Sequence, residues 1–479
     1  MPILLKKILT LEALSRQLEP PAEVRQAWND QVAAYAERFI ESLSHSPAFL
    51  DDDNKGQELL QFPIPEYAVP VEQLIHLVEE AVDKPALNPA SGRHFGYIPG
   101  GGVFPGALGD YMAAVANNYA GIFYAGPGAV RMENMLIRWM AQFLGYPRTA
   151  LGNLASGGSI ATLVAITTAR DTKKLKAAMV ENAVVYLTTQ VHHCVHKAFR
   201  IAGMKEAIFR NIPLDEHFRM NTDYLKRQIA LDWDAGLRPF MIIGTAGTTD
   251  TGAIDPLDTI ADIAQKNEIW FHVDAAYGGF FMLVENLKPA FKGIERSDSV
   301  VIDPHKGLFL PYGLGAVIIR DVPAQYQAHF YQANYMQDAL SDDHEYSPAD
   351  LSPELTKHFR GMRMWLPLQL FGVSPFRASL QEKALLCRYF YEEIQKRGFE
   401  VGPEPELSVM IFRHPGSDEA NQHLIKHVQH DGRVFVSSTT IQDKFWIRMA
   451  VMSFRTHLPE IELALQILEE SAYAMGLRQ

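Results

Sequence analysis

Apolar residues recur at spacings of three and four from 22 to 60, which predicts helix. The opening stretch MPILLKKILTLEALSRQL also reads as an amphipathic helix. Pro63, Pro65 and Pro70 in FPIPEYAVP end that pattern, and a second helix, VEQLIHLVEEAV, follows. From 85 to 105 the chain is rich in Pro and Gly, and GYIPGGG cannot be regular structure. Beyond this the rhythm changes. Short apolar runs at 184–187, 240–244, 269–273, 299–302 and 315–320 are separated mostly by helical patterns. Buried strands with intervening helices imply a mostly parallel sheet covered on both faces. A polar, acidic stretch at 332–350 has the character of a loop or lid. From 370 onward helices alternate with strands such as 407–412 and 446–450. The pattern divides the chain into a helical extension with a wrapping loop (1–105), a large α/β domain (106–369) and a small C-terminal α/β domain (370–479).

Composition narrows the class. The 479 residues are 47% apolar, enough for a sizeable core. The formal net charge is −12 and no basic block stands out, which disfavours nucleic acid and anionic membrane as partners. No stretch approaches the roughly 20 apolar residues of a membrane span. The N-terminus has no long apolar core and no small-residue cleavage site, so it does not read as a signal peptide. Cys194 and Cys387 are the only cysteines, and a reducing cytoplasm is the simpler setting. A cytoplasmic α/β enzyme is the expectation.

The chemistry concentrates in SVVIDPHKGLFLPYGLGAVIIR. A lysine just past a buried strand, here Lys306, lies at the carboxyl edge of the sheet, where α/β proteins place ligands. Desolvation can make such an amine a nucleophile toward an aldehyde. By itself it would read as a surface lysine, but its neighbours argue otherwise. Asp274 in WFHVDAAYGG ends another buried strand, so the two side chains can face one ligand. A buried carboxylate needs a partner, and a protonated pyridine nitrogen is one. The alternative for Asp274 is a helix cap.

Further groups fit the same ligand. Gly157, Gly158 and Ser159 directly precede a long helical pattern, and free N–H groups at a helix start bind anions. His192, His193, Cys194 and His196 are too closely packed in sequence to converge on one metal ion. We expect no metal, and His192 instead as an imidazole stacked on a flat ring. Thr245, Thr248 and Thr249 offer hydroxyls at the same edge, or else build a turn with local backbone bonds. Thr248 is counted among the cofactor contacts.

These motifs together resemble the group II pyridoxal-5′-phosphate-dependent decarboxylases, the family of aromatic-amino-acid, histidine, glutamate and diaminobutyrate decarboxylases. HVDAAYGG and DPHKG at this spacing carry the resemblance, which runs from about 91 to 456. It implies the aspartate-aminotransferase-like fold (fold type I) and a homodimer with active sites at the interface. It also implies Lys306 as the Schiff-base lysine, Asp274 as partner of the ring nitrogen and His192 of Gln190-Val191-His192 as the stacking imidazole. Gly157, Gly158 and Ser159 match the phosphate loop, and His305 stands next to the lysine as in the family. Asp303 departs from the Asn of aromatic members and is not assigned to phosphate. Gly307 follows the lysine where many members carry Trp, and GYIPGGG has glycines where aromatic-specific members are bulkier.

The resemblance further implies a loop tyrosine as proton donor, for which Tyr346 is favoured over Tyr335. Arg448 in FWIRMAV resembles an arginine facing the site, with a structural ion pair as its alternative. The expected reaction is decarboxylation of an L-amino acid, first of all an aromatic one. Phe95, Tyr97, Phe104, Phe123 and Tyr124 lie near the expected side-chain pocket, and Tyr97, Phe123 and Arg448 are taken as substrate contacts. A glutamate substrate would call for a cationic clamp, with only Arg93 and Arg131 nearby. The rivals are a fold-type-I carbon–carbon lyase, a cysteine desulfurase and a non-catalytic pyridoxal-phosphate-binding protein.

Overall fold

Helix is the local preference of the N-terminus, and among the described residues it is covered only in part, through contacts such as Tyr35 to Asp83 and Arg38 to Glu79. A computed structural model describes residues 2–52, 55–331 and 345–477. Helices Ile3–Ser15 and Ala22–Ser42 contribute no buried residue. The second stops well short of 60, because Pro47 cannot continue it. The chain instead forms strand β1 (Phe49–Leu50), antiparallel to β2 (Ala86–Leu87). Ala48 N–H donates to the Gly432 carbonyl, so this ladder sits on the C-terminal domain.

The loop after β2 ties three parts together. Phe95 N–H donates to Phe435 O (2.7 Å) and Ala450 N–H to Phe95 O (2.8 Å). Val103 N–H donates to Phe309 O (2.7 Å), close beyond the lysine. Gly100 has φ +63°, and a Cβ there would lie 2.3 Å from the His305 carbonyl oxygen. Only glycine permits that approach. Pro105 lies in the first turn of helix Phe104–Ala116, where its missing N–H costs nothing, so the boundary expected at 105 falls inside a helix.

The large sheet has seven strands: β3 (Leu151–Ala155), β4 (Ala183–Leu187), β5 (Ile208–Asn211), β6 (Arg238–Thr245), β7 (Trp270–Asp274), β8 (Ser299–Ile302) and β9 (Gly315–Ile319). Their order is β3-β9-β8-β7-β6-β4-β5. The β5/β4, β4/β6, β6/β7 and β7/β8 pairs are parallel, and β9 runs antiparallel to both β8 and β3. The ends of β3, β4, β6, β7 and β8 therefore share one edge. Strands β3 and β5 were not among the expected runs. LGNLA carries Gly and Asn, poor strand formers. A Cβ at Gly152 would lie 1.9 Å from the Val317 carbonyl oxygen, so close packing on β9 selects the glycine.

The small domain holds a four-stranded antiparallel sheet of β10 (Glu400–Val401), β11 (Val409–Arg413), β12 (Ser437–Ile441) and β13 (Lys444–Ala450), ordered β10-β11-β13-β12. Helices Ser374–Lys396, Asp418–Asp431 and Leu458–Ala474 supply Phe390, Leu424 and Leu465 to its core. The expected boundary at 369/370 falls within helix Gly361–Phe371.

The chain returning from the undescribed 332–344 segment is pinned to helix Pro127–Phe143 and to β3. Glu345 pairs with Arg138 (3.2 Å), and Asn134 donates to both Glu345 and the Tyr346 carbonyl. Lys357 Nζ meets Glu133 Oε1 (2.7 Å) and Leu154 O (3.1 Å), and the same carboxylate accepts from Leu154 N–H (2.9 Å). Both side chains are fully buried. Removing one partner of such a pair leaves an uncompensated charge. Lys357→Met should cost about 3–5 kcal/mol by denaturant unfolding, and adding Glu133→Leu should restore much of it.

Candidate active site

Lys306 reaches the shared edge on a one-turn helix, Pro304–Gly307, that directly follows β8. Asp303 caps the turn through its carbonyl, which accepts from Lys306 N–H (2.9 Å), and Pro304 takes the first helical position. The side chain folds back, and Nζ lies 3.1 Å from Asp303 Oδ2. Burial by itself lowers the lysine pKa, but the carboxylates of Asp303 and Asp274 outweigh it and the net shift is upward. The cofactor-free lysine is therefore an ammonium in an ion pair.

Asp274 ends β7, with Thr245 of β6 and Val301 of β8 as its register partners. Its carboxylate is buried and accepts from Ala276 N–H (3.1 Å). Among the described residues no basic nitrogen makes an ion pair with it. His192 follows β4 in the same neighbourhood, with Nδ1 accepting from Cys194 N–H (3.3 Å). Burial lowers the His192 pKa, with the positive charge of Lys306 adding to the effect and Asp274 opposing it, so the ring is neutral near pH 7. Cys194 is buried beside this group, and burial pushes its thiol up to about 12.

The anion seat lies at the end of β3. Gly157 precedes helix Gly158–Thr172, and the first intrahelical bonds run from Ile160 and Ala161 to its carbonyl. The N–H groups of Gly158 and Ser159 precede those bonds and are offered to a ligand. A Cβ at Gly158 would lie 3.0 Å from an Asp303 carboxylate oxygen, and one at Gly157 would lie 3.7 Å from the His305 ring. The seat and the lysine segment are therefore in contact. His305 Nδ1 faces Leu314 O at 2.6 Å. Thr248 is fully buried, and its hydroxyl meets Thr251 Oγ1 (2.8 Å) and accepts from Ala253 N–H (3.1 Å), both inside its own turn.

Arg448 stands on β13, buried between the domains. Its guanidinium donates to Thr249 O (2.6 Å), Tyr97 O (3.1 Å) and Ser437 Oγ (3.2 Å), while Nη2 has no partner. Burial lowers its pKa to about 10. It joins the turn after β6 to the GYIPGGG loop. Tyr97 itself is exposed with φ +53°, its ring 6.1 Å from that of Phe435. Phe123 is buried under the Arg131 guanidinium, 5.0 Å from its centroid. Phe95 is spent in the core of the small domain. Tyr346 packs beside Tyr326, with ring centroids 5.7 Å apart, against the large-domain core. Tyr335 lies outside the described residues.

Two neighbours escaped the motif reading, and a third, Asp303, was noticed but given no role. Asp303 pairs with Lys306, and its position three before the lysine on a capped turn was the available signal. Tyr312 lies close enough for the lysine charge to act on its phenol. His94 stacks on Phe435 (5.3 Å, 9°), and burial, reinforced by Arg448, lowers its pKa to about 4. No sequence signal marked His94, because its partners come from the far end of the chain.

An amine, a buried carboxylate lacking a cation, a neutral imidazole and an anion seat on one sheet edge define a site for a phosphorylated pyridine aldehyde. Pyridoxal phosphate fits each group: Lys306 for the aldehyde, Asp274 for the ring nitrogen, His192 for the ring face and Gly157–Ser159 for the phosphate. Residues 54–414 match the model of the pyridoxal-dependent decarboxylase conserved domain, and the chain belongs to that family. It is 33% identical over 424 residues to an aromatic-L-amino-acid decarboxylase of Bacillus atrophaeus, covering 86% of this chain and 87% of that one. It is 26% identical to tryptophan decarboxylase 1 of Oryza sativa subsp. japonica, over 93% and 94% of the two chains. The fold superposes with a TM-score of 0.88 on the crystal structure of Oryza sativa TDC with PLP and tryptamine, at 24% identity and covering 95% and 99% of the chains. The chain is thus a pyridoxal-phosphate-dependent carboxy-lyase of fold type I, as its motifs implied.

The neutral state of His192 is testable by NMR. In the cofactor-free protein its ring should titrate below the ordinary value of about 6.5. Its depressed pKa means that the unfolded chain binds a proton that the native one refuses. The resulting stability is present above pH ~6.5 and is lost as pH falls toward the native midpoint. His192→Gln should remove that part of the acid sensitivity, read as a flatter dependence of unfolding free energy on pH.

Proposed function

We propose that this chain decarboxylates an aromatic L-amino acid to its amine, as a cytoplasmic homodimer. The reading is carried chiefly by the convergence of Lys306, Asp274 and His192 from the ends of β8, β7 and β4, three parallel strands of one sheet. The names of the relatives support the substrate class. So does the fate of the nearby cations. Arg93 is tied to the Leu43 and Ser46 carbonyls, and Arg131 lies over the ring of Phe123.

When bound, the cofactor supplies an electron sink for the bond broken at Cα. The residues of the chain do the rest. Lys306 would hold the cofactor through its amine. Asp274 would keep a proton on the ring nitrogen, and the neutral imidazole of His192 would pack on the ring without adding charge. The Gly158 and Ser159 N–H groups would hold the phosphate. The unpartnered Nη2 of Arg448 is the cation available to orient substrate from the small-domain side. Tyr346 is the proposed donor of the proton returned to Cα.

Surface that one chain leaves uncovered supports the dimer reading. Helix Ile3–Ser15 exposes Ile3, Leu4, Ile8, Leu11 and Leu14, and helix Phe104–Ala116 exposes Leu108, Met112 and Val115. Apolar surface of this extent is covered in a soluble protein, and a second copy would also shield Tyr97 at the site mouth. No helix among the described residues is long and apolar enough to cross a membrane. Both cysteines are free, in keeping with a reducing compartment.

Lys306→Ala should abolish the visible absorbance of the bound cofactor and CO₂ release together; retention of both ends the assignment. Release of CO₂ from tryptophan, tyrosine or phenylalanine, but not glutamate, is the expected outcome of a substrate screen. Tyr346→Phe should slow amine formation about 10²–10⁴-fold, the usual worth of a positioned proton donor. An unchanged rate transfers the role to Tyr335.

A further inference from the structure

Asp303 is placed between the lysine and the anion seat. Its carboxylate is 1% exposed. Oδ2 lies 3.1 Å from Lys306 Nζ and 3.9 Å from His305 Nε2, while Oδ1 has no hydrogen-bond partner. A Cβ at Gly315 would lie 2.5 Å from Oδ1, so this anion forms the wall of the pocket that takes the phosphate. Once Lys306 becomes bonded to a carbonyl carbon, it no longer offers Asp303 an ordinary ammonium. A buried carboxylate without a cation, next to a phosphate, is strongly unfavourable.

His305 is built to replace the lost cation. Its Nδ1 faces a carbonyl, which only accepts, so Nδ1 carries the hydrogen and the lone pair is at Nε2. That is the atom nearest Asp303. Burial holds this imidazole neutral, and the Lys306 charge adds to that while Asp303 opposes it. Discharge of the lysine removes one restraint and leaves the attraction of Asp303, set against burial and the charge of Arg363 on helix Gly361–Phe371. The other groups facing Lys306 are Tyr312 on its own connection, Asp274 of β7, and His192 and Cys194 after β4.

We propose that Asp303 and His305 form a proton relay for cofactor loading, in which Asp303 holds Lys306 as an ammonium beforehand and His305 takes its proton as loading begins. The inference rests on the pyridoxal-phosphate reading above. The ammonium gives up one proton, which crosses Asp303 Oδ2 to His305 Nε2. The neutral nitrogen then bonds to the carbonyl carbon, and the carbonyl oxygen leaves as water with the two protons remaining on nitrogen. Asp303 ends opposite an imidazolium, after a closure of about 1 Å to ordinary hydrogen-bond distance. Asp303 and His305 are here positioning residues, acting through the charge of Lys306.

The test uses full-length cofactor-free protein and follows the visible band formed with pyridoxal phosphate as a function of pH. Asp303→Asn should lower the pH midpoint of band formation by about one unit or more, the effect of deleting an adjacent opposite charge. It should also tighten inorganic phosphate, measured by competition, about tenfold through loss of the neighbouring anion. His305→Gln, which cannot accept the proton, should move the midpoint upward. An unchanged midpoint in Asp303→Asn, or a shift of both variants in the same direction, overturns the relay. The unaltered protein offers a check that does not depend on variants folding: NMR of the His305 ring should report protonation on loading. A ring that stays neutral overturns the relay. Absence of any band in the unaltered protein would instead count against the cofactor reading itself.

Discussion

The balance of charge at one sheet edge governs this molecule. A partly buried primary amine lies 3.1 Å from the buried carboxylate of Asp303 and within the field of buried Asp274 on the neighbouring strand. Neither the amine nor the acids could occupy that place singly, because each would be an uncompensated charge away from water. Together they are tolerable, and they leave one negative charge in excess. That excess suits a ligand that brings a cationic ring nitrogen to Asp274. Backbone N–H groups at a helix start would receive the anionic end of such a ligand.

The sheet makes this arrangement possible. Strands β4, β6, β7 and β8 run parallel, so each delivers the residue after its last hydrogen-bonded position to the same side. Helix Gly158–Thr172 begins at that edge too, because β3 runs antiparallel to β9 and hence in the direction of β8. The site is thus a product of strand direction. The small domain closes it from above through Arg448, whose three bonded partners come from the turn after β6, the GYIPGGG loop and β12. That guanidinium is a structural tie, with one buried nitrogen left unpartnered.

The segment 345–357 shows how a connection can be held without a core of its own. Glu345, Ser347 and Lys357 fasten it to Arg138, the Phe123 N–H and Glu133. These contacts place the Tyr346 ring against Tyr326 at a defined root. The helix Pro127–Phe143, which reads as an ordinary amphipathic helix, is therefore also the anchor of the chain that follows the acidic stretch.

Much of the fold and site was legible because the signals were local. Buried strands such as 299–302 are runs of apolar residues whatever surrounds them, and DPHKG and HVDAAYGG place a lysine and an aspartate just past such runs. Helix Ala22–Ser42 ended early because Pro47 and pairing with Gly432 overrode a continuing apolar period. β3 was missed because its glycine answers to a neighbour on β9 more than 160 residues away. The same distinction applies to single residues. Thr248 bonds within its own turn, Phe95 enters the small-domain core, and His94 stacks on Phe435. The sequence by itself determined which chemical groups stand at strand ends, since apolar runs and the residues that follow them are properties of neighbouring positions. Only the tertiary structure decided which of those groups pair, because charge neutralisation between Lys306 and Asp303, or between Glu133 and Lys357, depends on distances set by packing across the whole chain.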